Sequence, residues 1–353
     1  MGIRTLFTGD YNVFLRANQI SSGFKFLFLI IFVFLTGSSV KSQEVIPIYS
    51  DYLTDNLFLL HPSMAGAANR NQIRLTARQQ WFDVDNAPSL QTLAVNGRVG
   101  DKLGVGGIVF NDQNGNFSKI GAYGTVAYHL LFSRSELDLN QLSFGISAGI
   151  VQHRLDQSGF TEFDPIVSGS NVSDIFGNMD IGMSYYYLDF FAHLAAKNII
   201  SVRRKLFYSD AVPSNQRKYL FSTGYVFDNN NDWSYEPSIL FQLREATNEM
   251  NIDLNMKVYR EVDFGQLWGG LSYRNSFEGA EYTAEGNAIE SQKLQYITPF
   301  IGLDYNNFMF GYTFSYQFNS VVLSNNGFHQ ITIGYNFGKS RWRWEKNVPA
   351  VNY

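Results

Sequence analysis

The chain of 353 residues contains no cysteine. That excludes disulfides, thiol nucleophiles, Cys-ligated metal sites and a lipidated N-terminal cysteine. Charge is scarce too, at 16% of residues against roughly 25% in ordinary soluble domains. The formal net charge of −4 supplies no concentrated basic surface for a nucleic-acid backbone. Only one long apolar stretch occurs, Phe24 to Thr36, interrupted by Lys25 and shorter than the roughly 18 residues of a spanning helix. With Arg4 and Arg16 before it and a small-residue stretch running to Ser42 after it, it reads as a signal peptide over residues 1–42. No second run reaches spanning length, so membrane residence after export has to come from strands.

What the chain has instead is aromatic and small residues, with 16% Phe, Trp and Tyr and 30 glycines. They alternate. In Phe328 to Phe337, Ile331, Ile333, Tyr335 and Phe337 share one face, while Gln330, Thr332, Gly334 and Asn336 share the other, which is the two-residue period of a strand. In Phe308 to Phe318 six aromatics alternate with Met309, Gly311, Thr313, Ser315 and Gln317. A soluble sandwich would carry charges on its outer face. A face suited to lipid opposite one suited to water belongs to a barrel wall. From Ile73 onward about fourteen such segments follow, many near the roughly 9 to 11 residues that a tilted strand needs to cross a bilayer. The expected fold is therefore all-β, a transmembrane antiparallel barrel of the outer-membrane type over residues 71–337. Residues 43–70 form an N-terminal segment and residues 338–353 a tail.

Short links follow the even strands, among them Leu188-Asp189 and Asn306-Asn307, and long ones follow odd strands, above all Leu155 to Gly177, Asn198 to Lys218 and Arg274 to Lys293. Outer-membrane barrels have short periplasmic turns and long outer loops, so both termini are expected in the periplasm and the strand number is expected to be even.

The expected inward faces carry Arg74, Arg78, Arg98, Glu236, Arg244 and Arg274, which either pair across a plugged interior or set the selectivity of an open one; Trp81 is placed outward. The segment before the barrel, with turns at Pro62 and Gly66, either packs beneath the barrel floor or plugs the lumen or offers a partner surface. The tail Arg341, Trp342, Arg343 and Trp344 suits a membrane interface or a docking peptide. A hydrolase would need a nucleophile beside a base. His129, His153 and His193 are candidates in number only, since lone histidines on strands are ordinary wall residues. The five histidines include no close pair for a metal. Neither a catalytic site, a cofactor nor a metal is expected.

Across nearly all of residues 43–337 the chain resembles the PorP/SprF outer-membrane proteins of the type IX secretion system of Bacteroidetes, and lies nearer the SprF branch. The resemblance rests on Tyr49-Ser50-Asp51-Tyr52, on Asn56, on His61-Pro62-Ser63-Met64-Ala65-Gly66 (where many members have Asn-Pro-Ala), and on Arg74 to Trp81. It continues in Asn86-Ala87-Pro88, Arg217 to Leu220, Glu236-Pro237-Ser238, Asp253-Leu254-Asn255, Trp268 to Arg274 and Gly327-Phe328-His329-Gln330. It implies an outer-membrane barrel, not an enzyme. Such a barrel captures or anchors a secreted, gliding-adhesin-like protein through that protein's C-terminal domain, with periplasmic ring lipoproteins of the secretion machinery as further partners. A diffusion channel or solute transporter is the competing expectation.

Overall fold

The computed structural model describes residues 54–80, 86–132, 139–158, 171–201, 215–228, 232–283, 289–318 and 327–338. The signal-peptide reading of residues 1–42, Tyr49, the outward place of Trp81, and the tail residues Arg341, Trp342, Arg343 and Trp344 lie outside the described residues.

Fourteen antiparallel strands follow one another around a ring. They are β1 Asn71–Gln80, β2 Ser89–Val99, β3 Leu103–Asn114, β4 Phe117–Leu131, β5 Asn140–Asp156, β6 Asn171–Tyr187 and β7 Phe190–Lys197. There follow β8 Lys218–Tyr225, resumed as Phe227–Asp228, then β9 Trp233–Arg244, β10 Met250–Val262, β11 Gly265–Thr283, β12 Ile289–Tyr305, β13 Phe308–Phe318 and β14 Phe328–Phe337. The break in β8 has a local cause. Its ladder with β9 lapses where Tyr225 stands opposite Pro237, and proline has no N–H to give.

Each strand pairs with its sequence neighbours, and β14 pairs with β1 from Asn71↔Phe337 to Gln80↔Phe328. That last pairing closes the ring and leaves no open sheet edge between first and last strands.

The alternation expected from the sequence is the alternation seen. Leu75, Leu93, Val126, Ile146, Ile181, Leu254, Phe310 and Ile333 stand on the outside, exposed. Arg74, Thr76, Thr92, Ser147, Asp180, Asp253, Thr313 and Thr332 are buried on the inside. An outer surface of this kind is one that lipid covers, since water would drive it into a core.

The strands run further than hydrophobic alternation indicates. Arg274 to Lys293, expected as a loop, is mostly strand, because β11 continues to Thr283 and β12 begins at Ile289. The stretch expected as a loop after β5 likewise gives up residues 171–177 to β6. Beyond the lipid belt a strand needs only backbone pairing and no apolar face, so the pattern ends before the strand does. The two-residue link Gly115-Asn116 is a further departure from long links after odd strands.

Candidate functional site

The interior is where polar side chains of this chain converge, and the segment before β1 lies among them. Thr54–Leu59 and Pro62–Met64 form two 3-10 turns. Pro62 sits at the first position of the second turn, where its missing N–H costs nothing. Residues 56–68 are buried throughout. They lie against the inner faces of β2 to β8 in the half of the lumen nearest Asn71 and Phe337. Leu57, Phe58, Leu59, Leu60 and Met64 join Ile108, Tyr186, Phe191 and Leu220 in one apolar cluster, each such side chain contributing about 1.5–3 kcal/mol when fully buried.

The wall makes room by omitting side chains. A Cβ on Gly145 would collide with the Pro62 carbonyl and the Ser63 amide nitrogen, and one on Gly104 with the Ala65 carbonyl. Gly66 has φ +66°, and a Cβ there would lie 2.6 Å from the Gly97 carbonyl oxygen. Both the left-handed backbone and the close approach demand glycine.

Polar wall groups then capture the segment's backbone. The Gly66 amide donates to Asn96 Oδ1 at 3.0 Å, and Arg98 Nε donates to the Gly66 carbonyl at 2.9 Å. His129 Nε2 donates to the Ala65 carbonyl at 3.0 Å, so its Nδ1 is the acceptor facing the Ser143 hydroxyl at 2.8 Å. Lys197 Nζ donates to the Leu59 carbonyl at 2.8 Å. Side chains add Ser63 Oγ to Ser184 Oγ at 2.6 Å, Tyr186 Oη donating to Met64 Sδ at 3.3 Å, and His61 Nε2 to Ser222 Oγ at 3.2 Å.

His61 is fully buried, its ring 4.9 Å from that of His193, and its Nδ1 has no partner. Burial holds its pKa well below the ordinary histidine value, helped by His193 and by the Lys197 ammonium. The docked segment therefore holds a neutral imidazole.

The opposite inner wall is built differently. Arg274 grips Asp253 through two bonds of 2.6 and 2.5 Å, and the two residues are direct register partners on β11 and β10. Tyr259 donates to Glu236 at 2.7 Å and Trp268 Nε1 to Asp304 at 2.8 Å. The Lys257 ammonium lies over the Tyr259 and Trp268 rings at 4.7 and 4.1 Å.

The six inward charges named from the sequence are thus dispersed. Arg274, Arg244 (to Glu249, 2.8 Å) and Glu236 bond to neighbouring chain, Arg78 lies over Phe328, Arg74 is buried on β1, and Arg98 alone bonds to the docked segment. Among the described residues, Arg274, Arg244 and Glu236 pair with adjacent strand or turn, because antiparallel neighbours put Cβ atoms about 5 Å apart. Sequence reasoning passed over Asn96, Ser184 and Lys197. Their only signal was an inward position on a strand.

Beyond the segment, toward the end opposite Asn71, lies a cavity of about 140 Å³. Its floor is Phe58, Leu59 and Leu60 and its walls include Lys119, Lys197, Lys218, Arg244 and Asp180. Among the described residues no group of three or more His, Asp or Glu could hold a metal ion.

Comparison with known proteins gives a family match over residues 41–335, to the type IX secretion system membrane protein PorP/SprF. Among solved structures the chain is similar to the TodX monoaromatic hydrocarbon channel deltaS2 mutant, at 11% identity and a TM-score of 0.47 over 80% of this chain and 94% of that one. It is similar to the deltaS2S3 mutant of the same channel at 12% identity and a TM-score of 0.47, over 87% of this chain and 99% of that one. To CdiB from Acinetobacter baumannii the figures are 8% identity and a TM-score of 0.42, over 76% of this chain and 60% of that one. No curated protein matches.

Proposed function

Because the chain belongs to the PorP/SprF family of type IX secretion system membrane proteins, we propose that it is an outer-membrane holder for a secreted surface protein. In this reading the barrel receives the C-terminal domain of a large adhesin at its outer mouth, both its own termini face the periplasm after signal-peptide export, and ring lipoproteins of the secretion machinery meet it there. The role is that of a binding partner, not an enzyme.

The observation that favours holding over conduction is the docked segment. Residues 56–68, bonded to four strands through backbone carbonyls and hydroxyls, occupy the half of the lumen through which a solute would have to pass. The competing channel reading needs that segment to leave. The same segment carries His61, Pro62, Ser63, Ala65 and Gly66, part of the stretch on which the family likeness rests, so its conformation has a part in the role.

A mild-detergent pulldown of the tagged protein from native outer membranes, with mass spectrometry, tests the proposal. Retention of a large secreted protein that is lost when its C-terminal domain is removed is the expected result. A bare barrel that shows an open, ion-selective conductance in planar bilayers overturns it in favour of the channel.

A further inference from the structure

β6 is paired unequally on its two sides. Against β5 it is paired from Asn171 to Tyr187, but against β7 only from Ile181 to Tyr187, because β7 has 8 residues and β6 has 17. Above Ile181 the β7 side of β6 faces no strand among the described residues. Among the described residues, the one backbone bond made there is from Ile199 N–H to the Met179 carbonyl, at 2.9 Å. That bond fixes the direction of the whole edge. In an antiparallel ladder a residue's N–H and C=O point to the same side, and successive residues alternate. The register with β5 is unbroken, so Ser173, Ile175 and Gly177 turn both groups into the same notch as Met179.

Such an edge cannot stand in hydrocarbon, where nothing would satisfy it. The outward side chains turn polar only at the tip of β6, at Ser173 and Asn171, since Ile181, Met183 and Ile175 are apolar. The notch therefore opens to water at its Ser173 end, at the mouth of the barrel, and an edge that has no strand beside it among the described residues is a template for another.

The cavity lies on the inner side of this same notch. It is lined by Phe176, Asn178 and Asp180 of β6, by Lys197 at the end of β7 and by Lys218 at the start of β8. Lys119 and Arg244 complete a set of four cations against one lining carboxylate, Asp180. Lys119 also pairs with Asp112 at 3.5 Å, Lys197 with Asp180 at 3.6 Å, and Arg244 with Glu249. A strand laid beside β6 would point alternate side chains outward and into this cavity. The inward ones would meet cations above an apolar floor.

We propose that the notch between β6 and β8 takes an extended acidic strand of a partner polypeptide, which adds to the β6 edge at Ser173, Ile175 and Gly177 and places carboxylate side chains against Lys197, Lys218 and Arg244. The inference rests on the holding role in taking the partner to be a polypeptide. It goes further in naming where the partner docks, by backbone pairing, and with what charge.

The test uses the full-length protein in detergent and two short synthetic peptides, one alternating valine with glutamate, the other valine with lysine. The glutamate peptide is expected to bind at least about tenfold more tightly, and Lys218→Glu to weaken it about fivefold, as expected of complementary charges at a docking site. Ile175→Pro removes one notch-facing N–H and leaves the β5 ladder intact, as proline at an edge allows. It should weaken binding about tenfold, provided that the variant still migrates as a heat-modifiable barrel. Amide exchange in the unmodified protein provides a second readout. The N–H groups of Ser173, Ile175 and Gly177 should slow on adding the glutamate peptide, and those of β12 should not.

Equal binding of the two peptides, or no slowing at β6, overturns the proposal. So does a chain that binds the peptide only after residues 202–214 are deleted, which would make the chain's own segment the occupant. A barrel that retains a secreted protein in the pulldown but binds neither peptide loses this inference and keeps the holding role. One that binds the glutamate peptide yet retains no protein and conducts ions keeps the notch and loses the role.

Discussion

The two halves of the inner wall solve the same packing problem in opposite ways. From β2 to β8 the wall offers glycine, serine, asparagine, histidine and the cations Arg98 and Lys197, and the segment before β1 fills the space. From β9 to β12 the wall fills itself, with Tyr259, Trp268 and Phe300 packed together and Asp253, Arg274, Glu236 and Lys257 bonded along the sheet. The first half depends on a segment that belongs to no strand of the ring. The second depends on nothing but its own strands. Arg98 and Lys197 hold carbonyls of the segment, so its release would take those partners from two part-buried cations, which costs free energy. Paired charges suit a wall that never opens.

That contrast can be broken at specific residues. The largest effect is expected from Arg274→Met, which leaves Asp253 buried without its cation. It should cost about 3–5 kcal/mol of barrel stability, read as a fall in thermal unfolding temperature, with the docked segment no more sensitive to protease than before. Gly145→Val, on the other wall, should do the reverse. Its side chain takes the space of the Pro62 carbonyl, at a cost of about 1–3 kcal/mol or more. The expected outcome is early proteolysis within residues 54–66 and a raised conductance, with the barrel's own unfolding little changed.

Acid should sharpen the distinction further. The docked His61 has a depressed pKa, so below the ordinary value of about 6.5 the released segment binds a proton that the docked one refuses. Docking is at full strength above that pH and weakens by about 1.4 kcal/mol for each unit below it, until docked His61 itself protonates. Protease sensitivity of the segment measured from pH 8 to pH 5 checks the sign, and His61→Asn should flatten the profile. The smallest effect is expected for Arg78→Lys, which keeps the charge near Phe328 but loses the planar stack, at about 0.5–1 kcal/mol.

Most of the barrel could be read in the sequence because its two faces meet different solvents. Ile331, Ile333 and Tyr335 against Gln330, Thr332 and Gly334 leave one assignment open, and that pattern recurs around the ring. The ends of β6 and β11 escaped notice because Asn171 to Ser173 and Gly279 to Thr283 pair in water, where no face has to be apolar. The docking wall escaped for a different reason. Gly104, Gly145, Asn96 and Ser184 are what any watery lumen could carry, and only the fit of Pro62, Ala65 and Gly66 against them gives them a purpose. His61 was noticed as part of a turn. That it would lie against His193, 132 positions along the chain by subtraction of the residue numbers, is a matter of strand order that a linear pattern does not contain.

The seam between β1 and β14 governs the order in which this molecule can be made. The ring has no completed circumference until the final strand is laid against Asn71–Gln80, whereas the seven strands β2 to β8 that face the N-terminal segment pair with one another without that seam. The segment can therefore settle on an open, curved sheet, its glycine hollows already formed, and be enclosed when the seam zips shut. No end of the chain has to be threaded through a finished cylinder, and the occupant can serve as the mandrel around which the cylinder is wound.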